Sequence, residues 1–148
     1  MDSIIAERPP LVSDYVLEDQ VGFVLRQVAQ RHAAIFTSGV DGDITATQWA
    51  ALAKLREAGP LSQNLLGRHT VMDGATIKGV IDRLMVRGFV EARPHPEDGR
   101  RRLIDLTESG RDIVDSLAPR ALLISAETVA PLDVTERQTF MRLLSKLR

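Results

Sequence analysis

The sequence lacks cysteine altogether, and this absence excludes several classes of site at once. Without a thiol there is no disulfide framework, no thiolate nucleophile, no thiol redox sensor and no zinc site with cysteine ligands. The three histidines, His32, His69 and His95, lie far apart in the chain, and no carboxylates stand at ligand spacing beside them. We therefore expect the protein to bind neither a metal nor a cofactor.

Long apolar segments are also missing. No stretch approaches the roughly 20 apolar residues that are needed to span a bilayer. The N-terminus carries an acidic Asp2 and has no cationic start before an apolar segment, so it does not resemble a signal peptide. We expect a cytoplasmic protein that does not associate with a membrane.

Recognised catalytic motifs are absent as well. The sequence has no glycine-rich phosphate loop, no G-x-S-x-G, no H-E-x-x-H and no convincing pair of carboxylates. With three histidines and no cysteine, few combinations of a nucleophile and a base remain. We therefore expect a protein that is not an enzyme. A pocket containing strongly perturbed acid–base pairs would be the sign of the alternative, an enzyme that binds a small molecule.

The chain has no large excess of either charge, but its charges are unevenly distributed. The net charge is −1, with 26% charged and 44% hydrophobic residues, a composition typical of a globular protein. Residues 68–102 contain eight basic and five acidic residues, a net charge of +3, whereas the rest of the chain has a net charge of −4. A locally basic segment on an acidic body is typical of a phosphate-binding face, although a solvated surface also produces differences of this size.

The spacing of apolar residues predicts a mainly helical chain after an extended, proline-containing arm over residues 1–14. Six segments have apolar residues three and four positions apart, as one face of a helix requires. The predicted helices cover residues 15–38, 45–57, 62–68, 73–87, 107–131 and 133–147. Two glycines and two aspartates in residues 39–43 end the first of them.

Capping residues support these boundaries. Ser, Thr and Asp stand where helix starts are predicted, since their side chains accept hydrogen bonds from the free N–H groups of the first turn. The predicted N-caps are Thr45 or Thr47, Ser62, Asp73, Thr107 and Asp133. Gly88 is expected to end the fourth helix. Pro119 lies inside the fifth and should kink or split it, because proline removes a backbone donor.

Between the fourth and fifth helices the period of the pattern changes. Residues 89–93 and 101–106 predict two short strands, and the polar loop 94–99 between them contains two prolines, which exclude regular pairing there. The expected fold class is therefore mainly α with a small β-hairpin wing. A short helix, a turn, a longer helix and a basic hairpin follow one another in the order of a winged helix-turn-helix, which places its second helix in a major groove.

Candidate DNA contacts follow from this arrangement. The face of helix 73–87 that is not apolar must reach bases or phosphates, and the start of the preceding helix and the tip of the hairpin lie beside it. The candidates are Ser62, Gly74, Ala75, Thr76, Lys78, Arg83, Arg100 and Arg101. The alternative for the two hairpin arginines is that they only solvate a loop.

Two acidic residues, Asp98 and Asp82, give these candidates other possible partners. Asp98 is interpreted as a structural residue of the wing that orients an arginine such as Arg100 through a charge-assisted hydrogen bond. Arg83 has Asp98 as an alternative partner. Lys78 has Asp82, four residues further along the same helix face.

The hairpin also carries a family signature. Asp98-Gly99-Arg100, five further residues and Leu106-Thr107 are similar to the D-x-R-x5-L-T wing signature of the MarR family of bacterial regulators. Residues 76–84 and 87–90 resemble that family's recognition helix and its entry into the wing, and residues 107–111 resemble the start of its long fifth helix. Gly79 departs from the pattern, because members often carry a larger polar or basic residue there.

The resemblance implies an organisation and a function. It implies one domain over residues 1–148, with a winged helix-turn-helix lobe at about 45–107 and dimerisation helices at about 15–38 and 108–148. It implies a homodimeric transcriptional repressor that binds a pseudo-palindromic operator in double-stranded DNA, with two recognition helices about one DNA turn apart. The alternative is a winged-helix module that binds another protein and never DNA.

The resemblance also implies a small-molecule effector. In this family, the junction between the dimerisation helices and the DNA-reading lobe often binds a small aromatic carboxylate, for which a cation and aromatic walls are suitable. The candidate effector residues are Arg26, His32, Trp49, Arg68 and His69. For His32 and Trp49 the alternative is a place in the core or the dimer interface. We expect an aromatic or heteroaromatic acid to release the operator, and hence control of a catabolic operon.

Overall fold

The structure is a computed structural model that describes residues 14–40 and 44–148. Within these residues, six α-helices and a two-stranded hairpin follow one another. They are α1 (Val21–Gly39), α2 (Ala46–Ala58), α3 (Gln63–His69), α4 (Gly74–Val86), β1 (Val90–Pro94), β2 (Arg102–Leu106), α5 (Glu108–Thr128) and α6 (Val134–Ser145). The predicted fold class is confirmed. The predicted arm lies outside the described residues except for Asp14, as does the segment 41–43.

The first helix begins later than predicted. A 3₁₀ turn over Leu17–Asp19 precedes it, and Gln20 is extended (φ −84°, ψ 131°), so α1 starts at Val21 rather than near residue 15. The side chain of Gln20 donates to the carbonyl of Val16 at 2.8 Å. At its other end α1 stops at Gly39, where a Cβ would lie 2.6 Å from Cγ1 of Ile124. Glycine therefore allows α1 to approach α5 closely.

The predicted caps are present at the helix starts. Thr45, rather than Thr47, caps α2 in a reciprocal capping box with Gln48. The side chains that accept a hydrogen bond from the backbone three residues later are those of Ser62, Asp73, Thr107 and Asp133. Gly88 follows α4 with φ +75°, a conformation that favours glycine, and the Phe89 N–H bonds the carbonyl of Leu84 at 3.0 Å.

Proline does not divide the fifth helix. α5 runs without interruption through Pro119, so the predicted split is wrong. A proline removes one backbone donor, and the helix is kept in place on both sides of it, because Val114, Leu117 and Ile124 are buried in the core.

The hairpin is antiparallel, in a register from Val90 opposite Leu106 to Pro94 opposite Arg102. The strands match the prediction to within one residue at each end. A contact that local pattern does not predict extends the hairpin: Leu61 donates to the Ile104 carbonyl at 3.0 Å and accepts from the Ile104 N–H at 2.7 Å. The entry into α3 is thereby attached to the wing.

The core lies beneath the helix-turn-helix. Its largest fully buried side chains come from α2, α3, α4 and β2, and they are Leu52, Leu55, Leu66, Ile77, Ile81, Leu84 and Leu106. Phe36 of α1 and Val114, Leu117 and Ile124 of α5 extend it towards the terminal helices. Among the described residues, no helix is long and apolar enough to cross a membrane.

The terminal helices leave much apolar surface uncovered. α6 buries none of its residues, and α1 buries only Phe36. Large apolar side chains on these helices and on α5 are exposed; they include Val21, Val24, Leu25, Val28, Leu122, Leu123, Met141, Leu143 and Leu147. Exposed apolar surface of this extent is typical of a protein–protein contact.

Candidate DNA-binding surface and effector region

A close contact with the short helix α3 positions the candidate recognition helix α4. At Gly67, in α3, a Cβ would lie 3.1 Å from Cγ2 of Ile77 and 3.2 Å from the carbonyl oxygen of Met72. A larger residue would push α4 and its preceding turn away from α3. Ser62 at the start of α3 uses its hydroxyl to accept from the Leu65 N–H at 3.2 Å. The same hydroxyl retains a proton with which it can donate to a phosphate.

The face of α4 that is not buried contains the five predicted contact residues. Ile77, Val80, Ile81 and Leu84 are buried on the inner side. All five are exposed: Gly74, Ala75, Thr76, Lys78 and Arg83. No heavy atom lies within 4 Å of the place that a Cβ on Gly74 would take. The small side chains thus leave open space along the N-terminal half of the helix.

A carboxylate occupies the first turn of α4. Asp73 accepts from the Thr76 N–H at 2.7 Å. This hydrogen bond, more than any other cause, lowers the pKa of Asp73 below its usual range. A carboxylate that is ionised at neutral pH repels phosphate. Contacts from this end of the helix are therefore expected to come from uncharged groups such as Thr76.

Lys78 forms an ion pair along α4. Its Nζ lies 2.8 Å from Oδ2 of Asp82, and this hydrogen bond raises the pKa of Lys78. In the isolated chain, Lys78 therefore pairs with Asp82, one of the two partners predicted for it. Both side chains are exposed, and exposed pairs of this kind contribute little to stability. Lys78 can thus exchange Asp82 for a phosphate at small cost.

Asp98 organises the tip of the wing. Its Oδ1 accepts from the backbone N–H of Arg100 at 3.1 Å, and its carbonyl accepts from the Arg101 N–H at 3.0 Å. Its Oδ2 lies 3.9 Å from Nε of Arg101. The ion-pair partner is therefore Arg101, and neither Arg83 nor the side chain of Arg100 takes this place. Both arginines remain exposed at the tip.

Three charged residues at the base of the wing were not among the sequence candidates. Asp105 of β2 has a buried side chain, within 3.3 Å of an Arg93 nitrogen and 3.7 Å of an Arg111 nitrogen. Burial of a carboxylate is unusual unless it is paired. The register of the hairpin could have identified this cluster. The register places Asp105 opposite Glu91, and two like charges in this position require a cation nearby.

Within residues 14–40 and 44–148, two of the five candidate effector residues line cavities, and these are two different cavities. Arg68 lines a cavity of about 400 Å³ between α3 and α4, with Asn64, Met72 and Gly74. His32 lines a different cavity, of about 420 Å³, with residues of α5 and α6 that include Arg137 and Phe140.

The remaining three candidates have separate positions. Trp49 is half-buried against the core. Arg26 and His69 are exposed on α1 and at the end of α3. No group of three or more histidine, aspartate and glutamate side chains that could hold a metal is found within residues 14–40 and 44–148.

Known proteins share both the sequence and the fold of this chain. The model of the MarR family matches residues 44–101. The HTH-type transcriptional repressor NicR of Pseudomonas putida is 40% identical over 134 residues, which are 90% of this chain and 85% of NicR.

Two solved structures extend the comparison to the fold. A probable transcriptional regulator from Pseudomonas aeruginosa is 48% identical, with a TM-score of 0.85 over 90% of this chain and 100% of that chain. BpsR of Bordetella bronchiseptica, whose structure concerns the regulation of DNA binding by 6-hydroxynicotinic acid, is 37% identical. Its TM-score is 0.86 over 90% of this chain and 96% of that chain.

Proposed function

The chain belongs to the MarR family and is a transcriptional regulator, and from this premise we propose that it is a cytoplasmic, homodimeric repressor without enzymatic activity. In this proposal it binds a pseudo-palindromic operator and is released by a heteroaromatic acid, so that a catabolic operon is expressed when that acid is present. The single observation that carries the proposal is the open, small-residue face of α4 beside a wing whose arginines are exposed.

The DNA-binding part of the proposal is supported by two kinds of contact surface. Gly74, Ala75 and Thr76 allow the N-terminal half of α4 to approach base edges, where a threonine offers both a methyl group and a hydroxyl. Arg100 and Arg101 project from a turn that Asp98 closes, as phosphate or minor-groove contacts require. Ser62, Lys78 and Arg83 supply further polar groups around the helix.

The dimer is supported by the apolar surface of the terminal helices. Val21, Val24 and Val28 form an exposed stripe along α1, and α5 and α6 expose further large apolar side chains. A second copy of the chain would cover these faces and leave the lobe of about residues 45–107 free for DNA. A two-fold axis through α1, α5 and α6 would present two copies of α4 to successive turns of the operator.

The effector part of the proposal is supported by the hydrogen bonding of His32. The Thr128 hydroxyl donates to the Ile124 carbonyl at 2.9 Å, so it accepts from Nδ1–H of His32, at 2.8 Å. Nε2 of a neutral His32 is then an acceptor, suited to a hydroxyl or ring N–H group. Arg137 and Phe140 line the same cavity and offer a cation and an aromatic face.

Arg26, Trp49, Arg68 and His69 complete the proposed effector region only if the partner subunit or a movement of the lobe brings them near. BpsR, whose DNA binding is regulated by 6-hydroxynicotinic acid, supports a hydroxylated heteroaromatic acid as the class of ligand. Such a ligand releases the operator if it binds more tightly to a dimer whose two α4 helices no longer fit adjacent grooves.

The decisive experiment measures how salt affects DNA binding. A duplex selected by the protein from a random-sequence pool is titrated over a range of salt concentrations with the wild type, with Arg101→Ala and with Arg148→Ala. The last variant removes the same charge from the far end of the chain. We expect Arg101→Ala alone to lower the magnitude of the log–log salt slope, by about one for each protomer and so about two for the dimer. If no duplex is bound more tightly than micromolar at low salt, the alternative of a protein-binding module replaces this proposal.

The ligand is tested separately with 6-hydroxynicotinic acid as the probe. We expect it to raise the thermal midpoint and to release the selected duplex, because it binds the native state selectively. His32→Ala should abolish the midpoint shift, whereas His95→Ala, which alters a histidine of the wing, should preserve it. A midpoint that the acid leaves unchanged would reject this class of effector and leave the DNA-binding proposal intact.

A further inference from the structure

The base of the wing contains an arrangement that is unfavourable by itself. Glu91 of β1 and Asp105 of β2 are directly opposite in the antiparallel ladder. Like charges in this position destabilise a hairpin. The side chain of Asp105 is only 8% exposed, so water screens its charge poorly.

One arginine bridges the two carboxylates. Nη2 of Arg93 lies 2.6 Å from Oε1 of Glu91 and 3.3 Å from Oδ2 of Asp105. Nε of the same arginine donates to Oε1 of Glu91 at 2.9 Å. The hydrogen bond with Glu91 is the main cause that raises the pKa of Arg93. The strands of the wing are thus cross-linked by charge as well as by their backbone ladder.

A second arginine connects the same carboxylate to α5. Nη2 of Arg111, in the first turn of that helix, lies 3.7 Å from Oδ2 of Asp105. The other oxygen of Asp105 accepts from the Leu106 N–H at 2.8 Å. Asp105 therefore has a cation on each side, one in β1 and one in α5, and it also accepts a hydrogen bond from the backbone of Leu106.

The other polar attachments of the wing also lie towards its base. Two backbone hydrogen bonds join Ile104 of β2 to Leu61. At its base, the Thr107 hydroxyl donates to the Gly88 carbonyl at 2.6 Å. The arginines at the tip lie beyond the last paired residues, Pro94 and Arg102. A small rotation of the hairpin about its base would therefore displace Arg100 and Arg101 more than the rest of the wing, because they lie farthest from the base.

We propose that Asp105 is a positioning residue, which fixes the angle of the wing against α5 and so directs Arg100 and Arg101 towards the DNA. The proposal rests on the proposed DNA-binding function. A buried carboxylate is costly, and pairing with two arginines often offsets that cost without adding stability. What the ion-pair network contributes is then specificity, because it permits only one orientation of the wing.

The test compares two asparagine variants that each remove one paired carboxylate. Asp105→Asn breaks the wing network, whereas Asp115→Asn breaks the ion pair between α5 and Arg56 of α2 and leaves the wing untouched. Duplex affinity and its salt slope are measured for both, alone and combined with Arg101→Ala. A purely structural role would affect stability and leave the effect of Arg101→Ala unchanged.

We expect Asp105→Asn to lower the magnitude of the salt slope by about one to two for each protomer, since each wing has two arginines at its tip. When it is combined with Asp105→Asn, Arg101→Ala should change the salt slope little further. When it is combined with Asp115→Asn, Arg101→Ala should change the slope as much as it does in the wild type. Effects of Asp105→Asn and Arg101→Ala that simply add would overturn the inference. A wild type with no salt-dependent duplex binding would instead reject the proposed function, so the two failures are distinguishable.

Circular dichroism and thermal unfolding establish that each variant is folded. If Asp105→Asn does not fold, Arg111→Gln provides the second variant, because it removes only the α5 side of the network. We expect it to show the same loss of the Arg101→Ala effect. A full Arg101→Ala effect in the Arg111→Gln background would contradict the proposal.

Discussion

Arg56 of α2 binds Asp115 of α5 through two hydrogen bonds, from Nε to Oδ1 at 2.9 Å and from Nη2 to Oδ2 at 3.2 Å. One partner belongs to the DNA-reading lobe and the other to the long helix that leads away from it. Both side chains are about half exposed, at 48% and 57%. The two-point geometry fixes the relative orientation of the helices more than it stabilises them.

The ion pair between Arg56 and Asp115 predicts that the stability of the protein depends on pH. The hydrogen bond from Arg56 is the main cause that lowers the pKa of Asp115 in the folded chain. A carboxyl whose pKa is lower when folded contributes stability above its unfolded pKa, and that contribution is lost as the pH falls through the folded value. We expect Asp115→Asn to lower the thermal midpoint slightly at pH 7. The difference from wild type should begin to shrink near the unfolded pKa, at about pH 4, and vanish below the lower folded pKa.

Asp112→Asn is the matched control, since it removes the same charge from the same helix and no described residue forms an ion pair with Asp112. Its midpoint should follow the wild type over the whole titration. A difference between wild type and Asp115→Asn that stays constant down to the most acidic pH would show that the ion pair is not its cause.

Gly110 provides a steric prediction. A Cβ at this position would lie 2.0 Å from the carbonyl oxygen of Phe89. Since backbone cannot move aside as a side chain can, Gly110→Ala should separate α5 from the base of the wing and lower the free energy of unfolding by several kcal/mol, at the upper end of what single substitutions cause. Gly74→Ala is the control, because its Cβ meets open space. Chemical denaturation should show equal or slightly greater stability for that variant, and equal losses in both would contradict the packing argument.

Asp82 gives a prediction of increased affinity. It occupies Lys78 in the isolated chain, at 2.8 Å, on the face of α4 proposed to meet DNA. Asp82→Asn frees the lysine and removes a charge that repels phosphate, so duplex binding should strengthen by a similar factor for the selected duplex and for an unrelated one. Fluorescence anisotropy on both duplexes measures this. Lys78→Ala should weaken both, and an Asp82→Asn variant that weakens binding would place this face of α4 away from the phosphates.

The helix starts could be predicted from sequence because a cap is complete within four residues. Ser62, Asp73 and Thr107 each form the predicted bond to the third residue after them. The start of α1 could not, since Val16 and Leu17 continue the apolar pattern although they precede an extended Gln20. Periodicity detects which residues share a face, and it does not detect where the first hydrogen bond forms.

The candidate site also contains residues that could be predicted from the sequence and residues that could not. The exposed face of α4 follows from its buried face, and the tip of the wing follows from a contiguous motif. The burial of Asp105 depends on hairpin register and on the docking of α5, so it needs long-range geometry. The contact between His32 and Thr128 joins residues 96 positions apart, and no local pattern contains it. Effector residues are therefore the part of the site that sequence predicts least.

Val71 leads to a prediction about strain in the helix-turn-helix itself. It lies in the turn between α3 and α4 with φ +56°, a left-handed conformation that is unfavourable for a β-branched residue, and it is 94% exposed. Among the described residues, no packing of its side chain compensates for this conformation. Val71→Gly should therefore raise the free energy of unfolding by about 1 kcal/mol, since glycine adopts that conformation without a steric cost.

Val86 is the matched control, because it is 89% exposed but lies in the helix α4. Val86→Gly should lower the stability by up to about 0.5 kcal/mol, since glycine is less favourable than valine in the last turn of a helix. Thermal unfolding without DNA, at one protein concentration, compares the three proteins. Opposite signs for two identical substitutions would locate the strain in the turn. A loss of stability in both variants would show instead that the side chain of Val71 is in contact with something in the folded protein, and the exposed position of Val71 makes the partner subunit the place to look for it.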